Sequence, residues 1–282
     1  MVGWFGKAAV AATGLCLIAS SVPAQFPPIG DPNKDEAKCE AGAGKTLAKF
    51  VGSKGKCITK CIGTARKTMG PYGGCFAPYA DPTTNLCITD PLKGAEAKAR
   101  AGIAKGCSKD CPECYTGTQC TDGEPFVTET EGDIDAPFGP GTGFPDLIYC
   151  KEKAGTTPTK DEGKCEDGVI KALSKFVGSK SKCYAKCKAN ELKGKIALGG
   201  CEPPPPGSNP TDPATNACIN DPIKGAAAKA KAAIIKACPI APSCYSGGGT
   251  GAANTFVAAV ESKIDSRVTE IACGSPSGAF LQ

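Results

Sequence analysis

The sequence predicts a mostly α-helical protein: two tandem disulfide-stapled helical-hairpin modules with Gly/Pro-rich loops. Three observations carry this. The chain of 282 residues holds 19 cysteines, of which 18 lie beyond an N-terminal export signal. Those cysteines recur at matched positions in two halves of the chain. The apolar residues between them repeat with helical spacing.

The first element is the signal. Lys7 gives a short basic start, and Ala8 to Ser20 form an uncharged apolar run. Val22-Pro23-Ala24 then places small residues where a signal peptidase reads them, so cleavage is expected after Ala24. The run is shorter than the roughly 20 residues of a spanning helix. The mature chain is expected to carry no transmembrane segment and to be secreted or periplasmic. An even number of remaining cysteines at this density fits an oxidised framework outside the cytosol.

The repeat follows. Asp35-Glu-Ala-Lys-Cys-Glu40 returns as Asp161-Glu-Gly-Lys-Cys-Glu166, and Lys49-Phe-Val-Gly-Ser-Lys54 returns unchanged as Lys175 to Lys180. Cys39, Cys57, Cys61 and Cys75 match Cys165, Cys183, Cys187 and Cys201 at a constant offset of 126. Beyond an insertion around Pro203 to Pro206, Cys87, Cys107, Cys114 and Cys150 match Cys218, Cys238, Cys244 and Cys273. Residues 1–24 are thus read as the signal peptide. Residues 25–150 are the first cysteine-rich helical repeat, ending in an acidic segment, and residues 151–282 are the second.

Within each repeat a long helix comes first, from about Asp35 to Met69. Its stripe includes Cys39, Ala43, Leu47, Phe50, Cys57, Ile58 and Cys61. Gly52 and Gly178 are candidate break points in it and its counterpart. A connector rich in Gly, Pro and Asn comes next. The second helix is expected to start at Asp90-Pro91 and Asp221-Pro222, with the Asp as cap and the Pro in the first turn. A third helix is expected only in the second repeat, where Phe256, Val260, Ile264, Val268 and Ile271 keep helical spacing and Pro137 has no counterpart.

Cys57 and Cys61 lie one turn apart, too far for a mutual bridge, so each is expected to reach a different partner on the second helix or its flanks. If both repeats keep one fold, their eight shared cysteines form the same four bridges in each. The first repeat has two more, Cys111 and Cys120, which then have only each other.

Charge is segregated. Residues 34–115 carry 14 Lys/Arg against 8 Asp/Glu, residues 116–159 carry 2 against 8, and residues 160–245 again carry 14 against 8. Lysine faces that solvate Ala-rich helices, with Glu129, Glu131, Asp133 and Asp135 lying against them, account for this. Attraction to an anionic surface or glycan is the sharper reading. Basic segments without interleaved aromatics or arginine clusters weigh against nucleic acid.

Several motifs fail on inspection. Gly42-Ala-Gly-Lys-Thr46 lacks the first glycine of a phosphate loop, since position 39 is Cys. Cys107, Cys111, Cys114 and Cys120 have spacings of an iron–sulfur, zinc or dithiol site, but Ala241 stands opposite Cys111 and nothing stands opposite Cys120, which favours structural disulfides. With 0 histidines, His-dependent catalysis and the usual zinc hydrolases are excluded. Asp133 and Asp135 become Lys263 and Asp265, so that carboxylate pair is not shared. No catalytic, cofactor-binding or metal-ligating residue is assigned, and no cofactor is expected.

The Cys57-x3-Cys61 and Cys107-x3-Cys111 spacings resemble those of helical-hairpin peptides, whose activity does not carry over because the second pair is missing from the second repeat. The two modules, with Ala/Lys-rich helices bracketed by cysteines, resemble uncharacterised secreted bacterial cysteine-rich helical repeat proteins, a resemblance that implies no activity. The expected function is a non-enzymatic structural or surface-binding protein of unknown partner. The alternative is a carrier of a small apolar ligand between the stapled helices, and an enzyme ranks third.

Overall fold

A computed structural model describes residues 34–136, 143–197, 199–201 and 209–273. The signal segment, its cleavage point at Ala24 and Cys16 lie outside the described residues. Ten helices and no strand occur among those described.

Helix α1 (Lys34–Thr68) opens with Asp35 and Glu36 and closes with Arg66 and Lys67, each sign facing the helix end it stabilises. Its counterpart α7 (Lys160–Glu191) starts at a capping box in which the Thr159 hydroxyl accepts from the Glu162 amide and Glu162 reaches back to the Thr159 N–H. Both helices run unbroken through Gly52 and Gly178. Glycine costs a helix only about 1 kcal/mol, and flanking Phe50 and Phe176 are fully buried.

The connectors hold helices that the sequence reading left as loop. These are α2 (Pro82–Thr89) and α8 (Pro213–Asn220), each capped by an Asp-Pro pair, Asp81-Pro82 and Asp212-Pro213. The Asp90 and Asp221 pairs do something else. Each aspartate accepts from the two amides of a turn, Leu92 and Lys93 or Ile223 and Lys224. The Ala-rich helices α3 (Ala95–Gly106) and α9 (Ala226–Ala237) therefore begin four residues later than expected. Gly94 and Gly225 precede them because a Cβ there would sit 2.6 Å from backbone atoms of Ile88 and Asp90, or of Ile219 and Asp221.

A third helix is present in both halves, which corrects the expectation of one only. In the first half it is α4 (Glu124–Asp135), entered through Gly123 at φ 65° and ending just before Pro137. In the second it is α10 (Gly248–Ile271), twice as long. Proline bounds α4 rather than preventing it. Two short helices, α5 (Phe144–Ile148) and α6 (Cys150–Lys153), lead into α7.

The cores are shared reciprocally. Phe144 and Ile148, from the end of the first sequence copy, are buried among Val169, Phe176, Ile234 and Val257 of the second. Ile271 and Cys273, from the end of the second, pack with Leu47, Phe50, Ile103 and Phe126 of the first. A large apolar side chain buried this way contributes about 2–3 kcal/mol. Helices α1 and α7 also pack directly and antiparallel: Gly55 lies against Ile170 and Ser174, while Arg66 lies against Gly163. Residue 150 is thus not a packing boundary.

Candidate functional site

All 18 cysteines beyond position 16 are bridged. Three pairings occur in each half: Cys39–Cys107 with Cys165–Cys238, Cys57–Cys87 with Cys183–Cys218, and Cys61–Cys75 with Cys187–Cys201. Cys111 is joined to Cys120. Cys57 and Cys61 do reach different partners, but both partners lie in the connector rather than on α3. The fourth shared bridge departs from the expectation that each copy closes its own. It is exchanged: Cys114 joins Cys273, and Cys150 joins Cys244. The exchange follows the core, because each copy's last segment lies on the other copy and its cysteine goes with it.

The Sγ atoms of Cys39, Cys107 and Cys120 lie within 4.8 Å of one another. All three belong to disulfides, and metal binding needs thiolate. A groove of about 500 Å³ runs between α1 and the first connector. Its wall is mostly apolar, formed by two disulfides with Ala65, Pro71 and Ala80, and Lys60, Thr64, Thr68 and Asp81 also line it.

Buried charge is organised in three clusters. Lys54, fully buried on α1, pairs with Glu131 and with Asp135 at 2.7 Å, and the Tyr79 hydroxyl donates to the other Asp135 oxygen at 2.5 Å. Lys180, 1% exposed, pairs with Glu261 at 2.8 Å and with Asp265 Oδ1 at 2.6 Å, and the Tyr184 hydroxyl donates to that same Oδ1 at 2.7 Å. Burial raises the carboxyl pKa of both Asp135 and Asp265, against the lowering effect of the neighbouring lysine. Asp135 was considered beside Asp133, but its working partner is Glu131, one turn away. Asp133 and Glu129 pair with Arg267 on α10, and Asp133 also with the partly exposed Lys263 at 3.4 Å, so the acidic segment lies against Lys54, Lys263 and Arg267.

The third cluster sits where α1 crosses α7. Arg66 contacts Glu152 at 2.6 Å, Glu166 at 2.7 Å and Asp167 at 3.0 Å. Glu152 and Glu166 side chains are fully buried, and each keeps one oxygen that no donor reaches. Burial, then the adjacent Glu152 charge, pushes the Glu166 carboxyl up to about 9. A Glu166 carboxyl that keeps its proton at neutral pH is a donor in this cluster.

The largest charged surface is on the two long helices. Lys38, Lys45, Lys49, Lys56, Lys60 and Lys67 are all exposed, and so are Lys164, Lys171, Lys175, Lys182, Lys186 and Lys193. Steps of seven and four residues keep Lys38 to Lys67 on one row of α1, about 44 Å long, and Lys164 to Lys186 on one row of α7, about 33 Å long at 1.5 Å per residue, with Lys193 in the turn that follows α7. Apart from Lys38 with Asp35 and Lys164 with Asp161, these lysines form no ion pair among the described residues. In each helix the row lies roughly a quarter turn from the face that meets the other helix, in the same sense. Antiparallel packing therefore brings both rows out on one side of the pair. The seven-four spacing of these lysines is present in the sequence of both long helices.

No family model, curated protein or solved structure matches this chain.

Proposed function

We propose that this is a non-enzymatic, exported structural or surface-binding protein that docks on a polyanionic glycan or lipopolysaccharide surface through the lysine face of α1 and α7. The observation that carries the reading is the pair of lysine rows on one side of the molecule, in which only Lys38 and Lys164 have an ion-pair partner among the described residues. Lysines used only for solvation gain from interspersed acids; here the neighbouring acids are withdrawn into buried clusters. No helix among the described residues is long and apolar enough to cross a membrane, and the disulfides fit an extracellular or periplasmic setting. Dense positive charge on a frame held by disulfides suits a repeating anionic partner better than a single small ligand.

The test is retention on immobilised heparin and on lipopolysaccharide vesicles across a salt series. Retention that falls steeply with salt, and is lost when Lys45, Lys49, Lys56 and Lys60 are changed to Glu, supports the reading. Absence of retention at low salt, or retention unaffected by the four changes, overturns it.

A further inference from the structure

We propose that Lys180 and Asp265, and likewise Lys54 and Asp135, are sites of intramolecular amide cross-linking, with Glu261 and Glu131 relaying the proton. The reasoning starts from what each site holds. A lysine ammonium is buried to 1% exposure or less on the middle of a long helix. Two carboxyl groups one turn apart on a neighbouring helix both contact its Nζ. A tyrosine hydroxyl donates to the aspartate. For a plain ion pair one carboxylate would suffice, yet a second acid, about a quarter exposed, shares the same ammonium. For condensation of an amine with an acid, every group has a use.

The step balances. The step takes Asp265 in its acid form, the form that burial favours. The Lys180 ammonium passes one proton to the Glu261 carboxylate, 2.8 Å away. The free amine then attacks Asp265 Cγ, and the Tyr184 hydroxyl, already on Oδ1, stabilises the oxygen that gains charge. Through Glu261 the excess proton on nitrogen moves to the departing hydroxyl. A C–N bond forms, a C–O bond breaks, one water leaves, and Glu261 ends protonated. Nothing is oxidised or reduced, so no co-reactant is needed.

The two halves provide an internal comparison. Lys54 and Lys180, Glu131 and Glu261, and Asp135 and Asp265 occupy matched sequence positions. The tyrosines do not. Tyr79 comes from the connector, where its backbone takes the left-handed φ of 59°, while Tyr184 comes from α7, opposite Ile58 of the first copy. The hydroxyl on the aspartate is thus supplied twice by different routes, the pattern expected when the hydroxyl itself is needed. The location also fits. Neither α4 nor α10 carries a cysteine within its length, so the disulfides leave the body of each third helix unstapled to its long helix. An amide at these points ties α4 to α1 and α10 to α7 by a bond that reductant cannot open.

The test is mass spectrometry of the exported protein after full reduction and alkylation. We expect an intact mass two waters below that of the mature sequence. Proteolysis should give branched peptides joining Lys54 to Asp135 and Lys180 to Asp265, with no cleavage after either lysine. A deficit of one water with one branched peptide supports that site and overturns the other. Full mass, with linear peptides cleaved after Lys54 and Lys180, overturns the proposal. Glu261→Gln, which keeps both bonded residues, should leave the second site open. If that variant does not fold, the wild-type mass alone decides.

Discussion

Tyr245 donates its hydroxyl to the carbonyl oxygen of Ile148, 97 residues earlier in the chain, at 2.6 Å. Tyr115, its sequence counterpart, donates in the same way to the carbonyl of Ile271, 156 residues later. Each tyrosine stands beside a cysteine whose partner lies next to that carbonyl's segment: Cys244 with Cys150, and Cys114 with Cys273. The two ends are exchanged, and the interface between copies is covalent.

One expected outcome concerns a cut chain. Residues 153–157 are exposed between the two copies. Cleavage after Lys153 should leave one species on a non-reducing gel and two after reduction, with a cooperative melt retained before reduction. Separation of the pieces without reductant would show that the exchanged bridges do not form.

A second concerns the isolated second copy. Residues 151–282 hold eight cysteines, so the sequence alone suggests that they fold by themselves. The exchange says otherwise, because Cys244 and Cys273 lose their partners and Phe144 and Ile148 leave the core. Losing those two side chains costs about 4–6 kcal/mol, a large share of the stability of a small domain. We expect two reactive thiols, or a non-native Cys244–Cys273 bridge, and a broad melt. Starting the fragment at residue 143 should restore a sharp transition, read by circular dichroism.

A third separates the bridges. Cys111–Cys120 spans 9 residues and Cys39–Cys107 spans 68. By loop entropy they contribute about 3 and about 4 kcal/mol respectively, and only the second also fastens α1 to α3 in the core. Replacing Cys111 and Cys120 together by Ser should lower Tm by a few degrees with unchanged helical content. Replacing Cys39 and Cys107 should lower it by more. Equal losses would mean that the short clip is part of the core.

A fourth follows from Glu166. Its carboxyl is raised from an ordinary value of 4.5 to about 9 in the fold. Between those values the folded protein holds a proton that the unfolded chain has released. Stability from this group is full below about pH 4.5 and declines as pH rises toward 9. Thermal melts across that range should therefore show falling Tm, and Glu166→Gln, which keeps a neutral hydrogen-bonding side chain, should flatten the slope. A wild-type Tm that rises over the same range would contradict a Glu166 carboxyl that keeps its proton in the fold.

Helical class, the long first helices and the surplus pair Cys111 and Cys120 were legible because each rests on local spacing or on counting. The Asp-Pro caps were misplaced because two such pairs occur in each copy, ten or fewer residues apart, and only tertiary packing shows that Asp81 caps a helix while Asp90 closes a turn. The exchange was not legible for a stricter reason. Pairing Cys114 with Cys150 and Cys244 with Cys273, or pairing them crosswise, satisfies the same internal alignment. The buried lysines had a signal, since Lys49 to Lys54 returns unchanged and both third helices carry acids one turn apart. Nothing in helix periodicity, however, brings Lys54 to Asp135 across 81 residues.

The exchange also sets an order of assembly. A chain is made from its N-terminus, and Cys114 meets its native partner only when residue 273, 159 residues later, has arrived. Until then it is a thiol beside Cys111 and Cys120, whose own bridge can close as soon as both are out. The early, local clip removes the two nearest wrong partners while Cys114 waits. In the second copy the order is reversed: Cys150 is already out when Cys244 appears, so that bridge closes at once, and the copy has no neighbouring surplus pair to occupy.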